Sequence, residues 1–326
     1  MIELLLVIVL IIISLFVILK GADYLVDGAS DFARWLEVSP ILVGLTVVAF
    51  GTSLPELMVS LFAALNGSPD LSIGNIIGSN IFNILVIIGI SAMFKPLAVR
   101  SRTLIYEFPF LIISAFLLLI LGMNWFIFQE QTYSLTRFDG IIFLLIFAFF
   151  LLYVFTTARS EQKKVHRQFA AEYKNKNSLW KNSLLIVGGL AALIVGGKIF
   201  VMNAEKLAQL AGMSEAFIGL TIAAIGTSLP ELATSAVAAW KKQSDIAIGN
   251  IVGSNIFNIL FVLGITSLIK PISINPAMLA TDGIVMVVAS LLFLVFATRD
   301  RKVVRWEGAI LVCCYVAYFG YLVWGL

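Results

Sequence analysis

The chain has 326 residues, of which 60% are hydrophobic and 13% charged, with a net charge of +3 and a mean hydropathy of +1.03. So little polar surface excludes a soluble globule, and with it a soluble nucleic-acid-binding domain; the composition specifies a polytopic membrane protein. The adjacent Cys313 and Cys314 lie inside an apolar run, which argues against a disulfide framework and makes them small hydrophobes in a helix.

In chain order, residues 2–19 form the first apolar run. Its only early charge is Glu3, and Lys20 follows directly, so it lacks the basic start and small-residue cleavage site of a secretory signal and reads as a first membrane helix. A more polar connection at 21–40, helical or interfacial, carries Asp23, Asp27, Asp31, Arg34 and Glu37. Helices are predicted next at 41–65, 71–94, 104–122 and 140–157, each approaching the ~20 residues that cross ~30 Å of hydrocarbon. Residues 158–181 are a basic loop with Arg159, Lys163, Lys164, Arg167, Lys174, Lys176 and Lys181; His166, the single histidine, lies there and reads as solvated. A second set of five follows at 183–203, 216–240, 246–269, 278–298 and 306–326. The expected fold is an all-α polytopic membrane protein of ten transmembrane helices: an N-terminal five-helix repeat (1–157), the loop (158–181) and a C-terminal five-helix repeat (182–326).

The division rests on a duplication. Residues 44–96 return at 219–271 with a fixed offset of 175 and about 31 of 53 positions identical, including GTSLPEL (51–57, 226–232) and GSNIFNIL (78–85, 253–260). Five crossings separate equivalent helices, so the copies must run in opposite directions as inverted repeats, an arrangement typical of alternating-access transporters. Placing the basic loop in the cytoplasm puts about 18 of the 22 Lys and Arg on that side and leaves Arg137, Lys198, Lys206 and Lys270 for the other. Both termini are then expected outside, in the cell (inner) membrane.

The repeated stretch carries the chemistry. Pro55 and Pro230 lack an N–H and clash with the preceding turn, so the helix should open near 49–53 and 224–228, freeing carbonyls beside Glu56 and Glu231. A carboxylate near the bilayer centre costs at least ~2.5 kcal/mol, and no Lys, Arg or His falls in these four helices to offset it. Carboxylates, carbonyls and the side chains of Thr52, Ser53, Thr227, Ser228, Ser79, Ser254, Asn83 and Asn258 form an oxygen-only set that suits Ca2+ and Na+ alike, whereas Zn2+ or Cu2+ would want His or Cys. Ser79 and Asn83 are i and i+4, as are Ser254 and Asn258, with Asn75 and Asn250 one turn earlier. Asn80 and Asn255 lie off this stripe, where capping or interhelical hydrogen bonding competes with ion contact. Asp70 and Asp245 are expected to cap helices, and Thr46 and Thr221 to bond back within theirs.

These paired motifs resemble the α-repeats of the cation/calcium exchanger superfamily, and the ten-helix layout is similar to its prokaryotic sodium/calcium antiporters. The resemblance covers essentially the whole chain. It implies exchange of Na+ for Ca2+ by alternating access, with Glu56 and Glu231 binding Ca2+ together with the carbonyls of Thr52 and Thr227. It also implies sodium sites at Ala49, Ser53, Ser79, Ala224, Ser228 and Ser254, and sliding of the first helix of each half. Some members carry an aspartate where this chain has Asn258; with Asn83 and Asn258 both neutral the site holds two formal charges, which favours a potassium-independent exchanger. A proton/calcium antiporter using the same glutamates is the alternative, and a channel ranks lower. An enzyme is not expected, since no nucleophile–base pair or phosphate loop is present. Ca2+ and Na+ are the expected substrates in a lipid bilayer, with no resident cofactor, no nucleic acid and no obligatory protein partner.

Overall fold

A computed structural model describes residues 2–123, 133–168, 178–210 and 224–324. Helix α1 (Ile2–Leu36) is followed by α2 (Pro40–Thr52), α3 (Leu54–Leu65), α4 (Pro69–Phe94), strand β1 (Leu97–Ala98) and α5 (Ser101–Gly122). Strand β2 (Ser134–Leu135) precedes α6 (Arg137–Gln168), α7 (Leu179–Leu210), the single turn α8 (Ala224–Gly226) and α9 (Leu229–Trp240). The chain then forms α10 (Ser244–Ile269), β3 (Ile272–Ser273), α11 (Pro276–Asp300), β4 (Lys302–Val303) and α12 (Arg305–Trp324). Among the described residues, eight helices are long and apolar enough to cross a membrane, or nine if the pair α2 and α3, bent by 44°, is one span. The expected seventh span lies partly outside the described residues, and its described part is α8 and α9.

Two expected boundaries are corrected. The polar connection after residue 19 is helical, and it is not a separate element but the continuation of α1, a single helix of 35 residues. No proline interrupts it, and Asp23, Asp27 and Asp31 repeat every four residues along one face, where Lys241 reaches Asp23 at 2.5 Å and Asp27 at 2.7 Å. Likewise α6 does not stop at 157 but runs to Gln168 through part of the expected loop, a stretch of Arg, Glu, Gln and Lys with good helix propensity. Asp70 and Asp245 do not occupy the N-cap positions, which are Ser68 and Gln243. Both carboxylates sit in the first helical turn, where negative charge suits the helix dipole, and Asp245 accepts from the Arg100 guanidinium, its Nε at 3.0 Å. Thr46 does bond back, Oγ1 to the Leu42 carbonyl at 2.7 Å; Thr221 lies outside the described residues. Cys313 and Cys314 are free and exposed on α12.

The duplicated helices form the centre. The apolar windows of α4 and α10 are 83% and 94% buried, against 22%, 28%, 28% and 17% for α1, α6, α7 and α12. The outer helices expose Leu5, Leu145, Val187 and Val316, as surfaces solvated by lipid tails do. Two short antiparallel ribbons tie the halves together at opposite ends of the bundle. β1 pairs with β4 (Leu97↔Val303) and β2 with β3 (Ser134↔Ser273). The long helices α1 and α7 cross where two glycines meet: a Cβ on Gly189 would lie 2.7 Å from both the Gly21 carbonyl and the Leu25 nitrogen. In a bilayer, where tails are as apolar as Leu, such close backbone approach is what holds helices together.

Gly189→Val is therefore expected to destabilise the α1–α7 crossing by about 1–3 kcal/mol, read as a lower unfolding midpoint of the detergent-solubilised protein; Gly188→Val, at a position open to a side chain, should leave it unchanged.

Candidate cation site

The site begins where two helices break. Pro55 and Pro230 stand in the first turn of α3 and α9, and Gly51 and Gly226, four residues earlier, lose the N–H partner a continuous helix would give them. Ser53 and Ser228 take up the turn, with nearly equal dihedral angles (φ −85°, ψ 5° and φ −87°, ψ 6°). Glu56 and Glu231 follow three residues on, 1% and 0% exposed. The opening is where the prolines place it, and π-helical turns at Gly44–Val48, Asn83–Ile88 and Phe257–Leu263 loosen the neighbouring helices, as such turns often do near functional residues.

The two halves complete each other. Ser53 Oγ donates to Glu231 Oε1 at 3.3 Å, and Ser228 Oγ donates to Glu56 Oε1 at 3.3 Å. Ser79 Oγ also donates to Glu56 Oε1 at 3.4 Å, and Ser228 Oγ lies 3.1 Å from Ser79 Oγ. Thr52 Oγ1 donates to Asn250 Oδ1 at 3.1 Å with Ser254 Oγ 3.5 Å away, while Thr227 Oγ1 donates to Asn75 Oδ1 at 3.4 Å. Among the described residues no cationic side chain pairs with either glutamate.

What is left over defines the chemistry. Glu56 Oε2, Glu231 Oε2, Asn83 Oδ1 and Asn258 Oδ1 are all buried without a hydrogen-bond partner. A buried polar atom left unpaired costs about 1–3 kcal/mol, more for a charged group, so acceptor oxygens buried without a donor favour a positive charge beside them. His, Cys, Asp and Glu form no group of three or more among the described residues, so the oxygens on offer are those of two carboxylates with neutral hydroxyls and amides. That is the hard-cation donor chemistry expected of the stripe.

Glu56, Glu231, Thr52, Thr227, Ser53, Ser228, Ser79 and Ser254 are brought together by these side-chain contacts, whereas Asn83, Asn258, Ala49 and Ala224 are not part of them. Ala49 is buried against Gly253, and its carbonyl already accepts from Ser53 N at 3.0 Å and Thr52 Oγ1 at 3.4 Å. Ala224 opens α8. Four asparagines were not chosen as site residues and are nonetheless part of its frame. Asn75 Nδ2 donates to the Glu56 carbonyl (3.2 Å) and Ser60 Oγ (2.9 Å), and Asn250 Nδ2 repeats this on the Glu231 carbonyl (3.5 Å) and Ser235 Oγ (3.0 Å). Asn80 and Asn255 bond between helices: Asn258 Nδ2 donates to Asn80 Oδ1 at 3.1 Å and Asn83 Nδ2 to Asn255 Oδ1 at 3.2 Å. These bonds spend the Asn83 and Asn258 amide donors elsewhere and leave their oxygens unpartnered. The exact duplication of all four asparagines was the signal available in the sequence.

A cavity of about 480 Å3 reaches the cluster from the end of the bundle that carries β2 and β3. Asp70 and Met278 line it, and Asn75, Ser79 and Thr227 form its inner end.

Residues 6–156 and 181–324 match the sequence profile described as sodium/calcium exchanger protein. The chain belongs to the sodium/calcium exchanger family. It is 41% identical over 315 residues to a protein named for antiport, CaxA of Alkalimonas amylolytica, covering 95% of this chain and 96% of that one. It is 31% identical over 340 residues to the sodium/calcium exchanger MaX1 of Methanosarcina acetivorans, covering 95% and 96%. Its fold superposes on the sodium-calcium exchanger NCX_Mj with a TM-score of 0.81 at 30% identity, covering 97% of this chain and 98% of that one. As a member of this family it is a multi-pass membrane antiporter of cations including Ca2+, and not an enzyme.

Asn258→Asp replaces the amide that donates to Asn80 with a third carboxylate. The variant is expected to unfold at lower temperature than the parent in cation-free buffer and to gain more from added Ca2+ or K+, measured by thermal unfolding across a salt series; an unchanged response to every cation would separate this position from the ions.

Proposed function

We propose that this family member exchanges Na+ for Ca2+ by alternating access. The supporting observation is the set of four buried, unpartnered oxygens on Glu56, Glu231, Asn83 and Asn258, which a bound cation would satisfy. Ca2+ accepts 6–8 oxygens at about 2.3–2.6 Å, and two carboxylates neutralise its charge in full. Ser53, Ser79, Ser228 and Ser254, with the carbonyls around Ala49 and Ala224, provide neutral oxygens for Na+ beside it, and the Thr52 and Thr227 carbonyls complete the Ca2+ site. The names of MaX1 and NCX_Mj favour sodium over protons as the coupling ion.

The architecture proposed with it is ten crossings in two inverted halves, 1–157 and 182–326, joined by a cytoplasmic basic segment. The reciprocal Ser53–Glu231 and Ser228–Glu56 bonds are what such pseudo-symmetry produces. Both ribbons join segments predicted to share one side of the membrane, β1 with β4 at the cytoplasmic face and β2 with β3 outside. The ion pairs Arg100–Asp245 and Lys241–Asp23 also join segments assigned to the cytoplasm. A relative 37% identical over 320 residues, YrbG of Escherichia coli, is named an inner membrane protein, which supports that location here.

Access is one-sided. On the outer side Asn75 and Thr227 are partly exposed to the cavity, whereas their counterparts Asn250 and Thr52 are 0% exposed. There α10 lies directly on the π-turn of α2: a Cβ on Gly253 would meet the Leu45 carbonyl at 2.7 Å, and one on Gly249 the Ile41 carbonyl at 2.7 Å. We read this, over the described residues, as the outward-accessible member of an alternating pair, which sliding of α1 and α7 would convert to the other.

In proteoliposomes loaded with Na+, radiolabelled Ca2+ uptake should exceed that of K+-loaded vesicles. Glu56→Gln and Glu231→Gln should each lower it by ~100-fold or more, as stripping a buried charge cluster of one partner costs about 3–5 kcal/mol. Uptake driven by a pH gradient without Na+ would keep the site and change the coupling ion; transport retained in both variants would remove the site.

A further inference from the structure

The duplication places one more pair of acids where the cation cluster does not use them. At the offset of 175, Glu107 on α5 is the counterpart of Asp282 on α11. Each is held by a tyrosine: Tyr153 Oη donates to Glu107 Oε1 at 2.6 Å, and Tyr318 Oη donates to Asp282 Oδ1 at 2.9 Å. The tyrosines are not counterparts. Gly140 on α6 and Gly308 on α12, which pack against the Gly264 and Gly89 carbonyls, align these helices at an offset of 168, so Tyr318 stands opposite Phe150 and Tyr153 opposite Tyr321. The longer glutamate reaches a tyrosine one turn further along, so the same acid–tyrosine contact is made in both halves in two different registers. Packing of a duplicated core does not require that coincidence.

The two acids differ in surroundings as the two faces do. Asp282 sits on a π-helical turn (Leu279–Gly283) and lines the outer cavity with Asp70; among the described residues that lining has these two carboxylates and no basic residue, and ends at Ser79, one hydrogen bond from Glu56. Glu107 is 1% exposed and its Oε2 has no hydrogen-bond partner. Arg102 lies near it, with Nη2 donating to Thr157 Oγ1 at 2.9 Å. At the counterpart of the outer cavity, Phe50 takes the place that Ile225 has on the outer side, and its ring meets Phe257 at 5.7 Å; the neighbouring Phe257–Phe147 contact at 4.8 Å is matched on the outer side by Phe82 and Tyr315 at 5.4 Å.

We propose that Asp282 and Glu107 are cation-entry residues, one for each face of the membrane, and that each serves the central site when its own side opens. In both, the tyrosine fixes one carboxylate oxygen and leaves the other for a hydrated cation. A negative charge in a cleft with apolar walls focuses the field and raises the local cation concentration, so the entry acid acts on capture rather than on the central site. The proposal rests on the cation-exchange reading of the cluster.

The test is the KM for Ca2+ measured separately from each face, in right-side-out and inside-out membrane vesicles. Asp282→Asn should raise the external KM by roughly three- to tenfold, within the range that charge focusing supplies, with the cytoplasmic KM and kcat unchanged; Glu107→Gln should do the reverse. Asp282→Glu should retain the parent value. Met278→Lys, which sets a positive charge on the same wall without altering Asp282, should raise the external KM and decides the matter if Asp282→Asn does not insert. Equal shifts on both faces, no shift, or a change in kcat alone would overturn the proposal. Ca2+ transport driven only by protons would overturn sodium coupling and leave this test intact, while no Ca2+ transport by the parent protein would remove both.

Discussion

Two carboxylates buried at the centre of a bilayer-spanning bundle, without a basic partner, set the terms for everything around them. Glu56 and Glu231 are each bonded by the serine of the opposite helix break, and their second oxygens remain unpaired. Glu56 also accepts from Ser79 of its own half, but the helix-break serine on each acid comes from the other half. The duplication is thus a physical necessity of the site as well as its history: each half supplies an acid and the hydroxyl that orients the other half's acid. On the proposed reading, a lysine or arginine here would stabilise the empty protein and end its use, because it would fill the charge deficit that the transported cation is proposed to fill.

The same logic explains where regular helix is given up. Pro55 and Pro230 interrupt the hydrogen-bond ladder only beside the acids, and π-helical turns fall in α2, α4 and α10 around them, while the lipid-facing helices α1, α7 and α12 are uninterrupted. Backbone irregularity in a membrane is tolerated where it lines a site and not where it meets lipid. Asparagine amides then lock the centre. Asn83 and Asn258 spend their N–H groups on Asn255 and Asn80 of the other half and keep their oxygens unpaired, which ties α4 to α10 where they cross and leaves two buried acceptors there.

Most of the cluster was legible in the sequence, because a Pro-Glu pair and a Ser/Asn ladder inside apolar runs have few explanations, and repetition at one offset removes most of those. The course of α1 was not. Three aspartates set a helical or interfacial connection apart from the first span, whereas Lys241 on Asp23 and Asp27 and Arg34 on Asp31 let one unbroken helix carry them. The role of Asp245 was misjudged for a similar reason, since its partner Arg100 lies 145 residues away. Asn80 and Asn255 could not be assigned from helical periodicity, because they bond to the other half. The acid–tyrosine pairs were hidden by the change of offset from 175 to 168 between the fourth and fifth helices of each half, which a single alignment of the repeats does not display.

The central claim is that a cation occupies the space among the unpartnered oxygens of Glu56, Glu231, Asn83 and Asn258. Anomalous diffraction from crystals grown with Sr2+ in place of Ca2+ tests it most directly. The account predicts one dominant anomalous peak bridging Glu56 Oε2 and Glu231 Oε2, lost on adding excess Na+. A dominant peak elsewhere, with the two glutamates bonded to each other or to water alone, would contradict it.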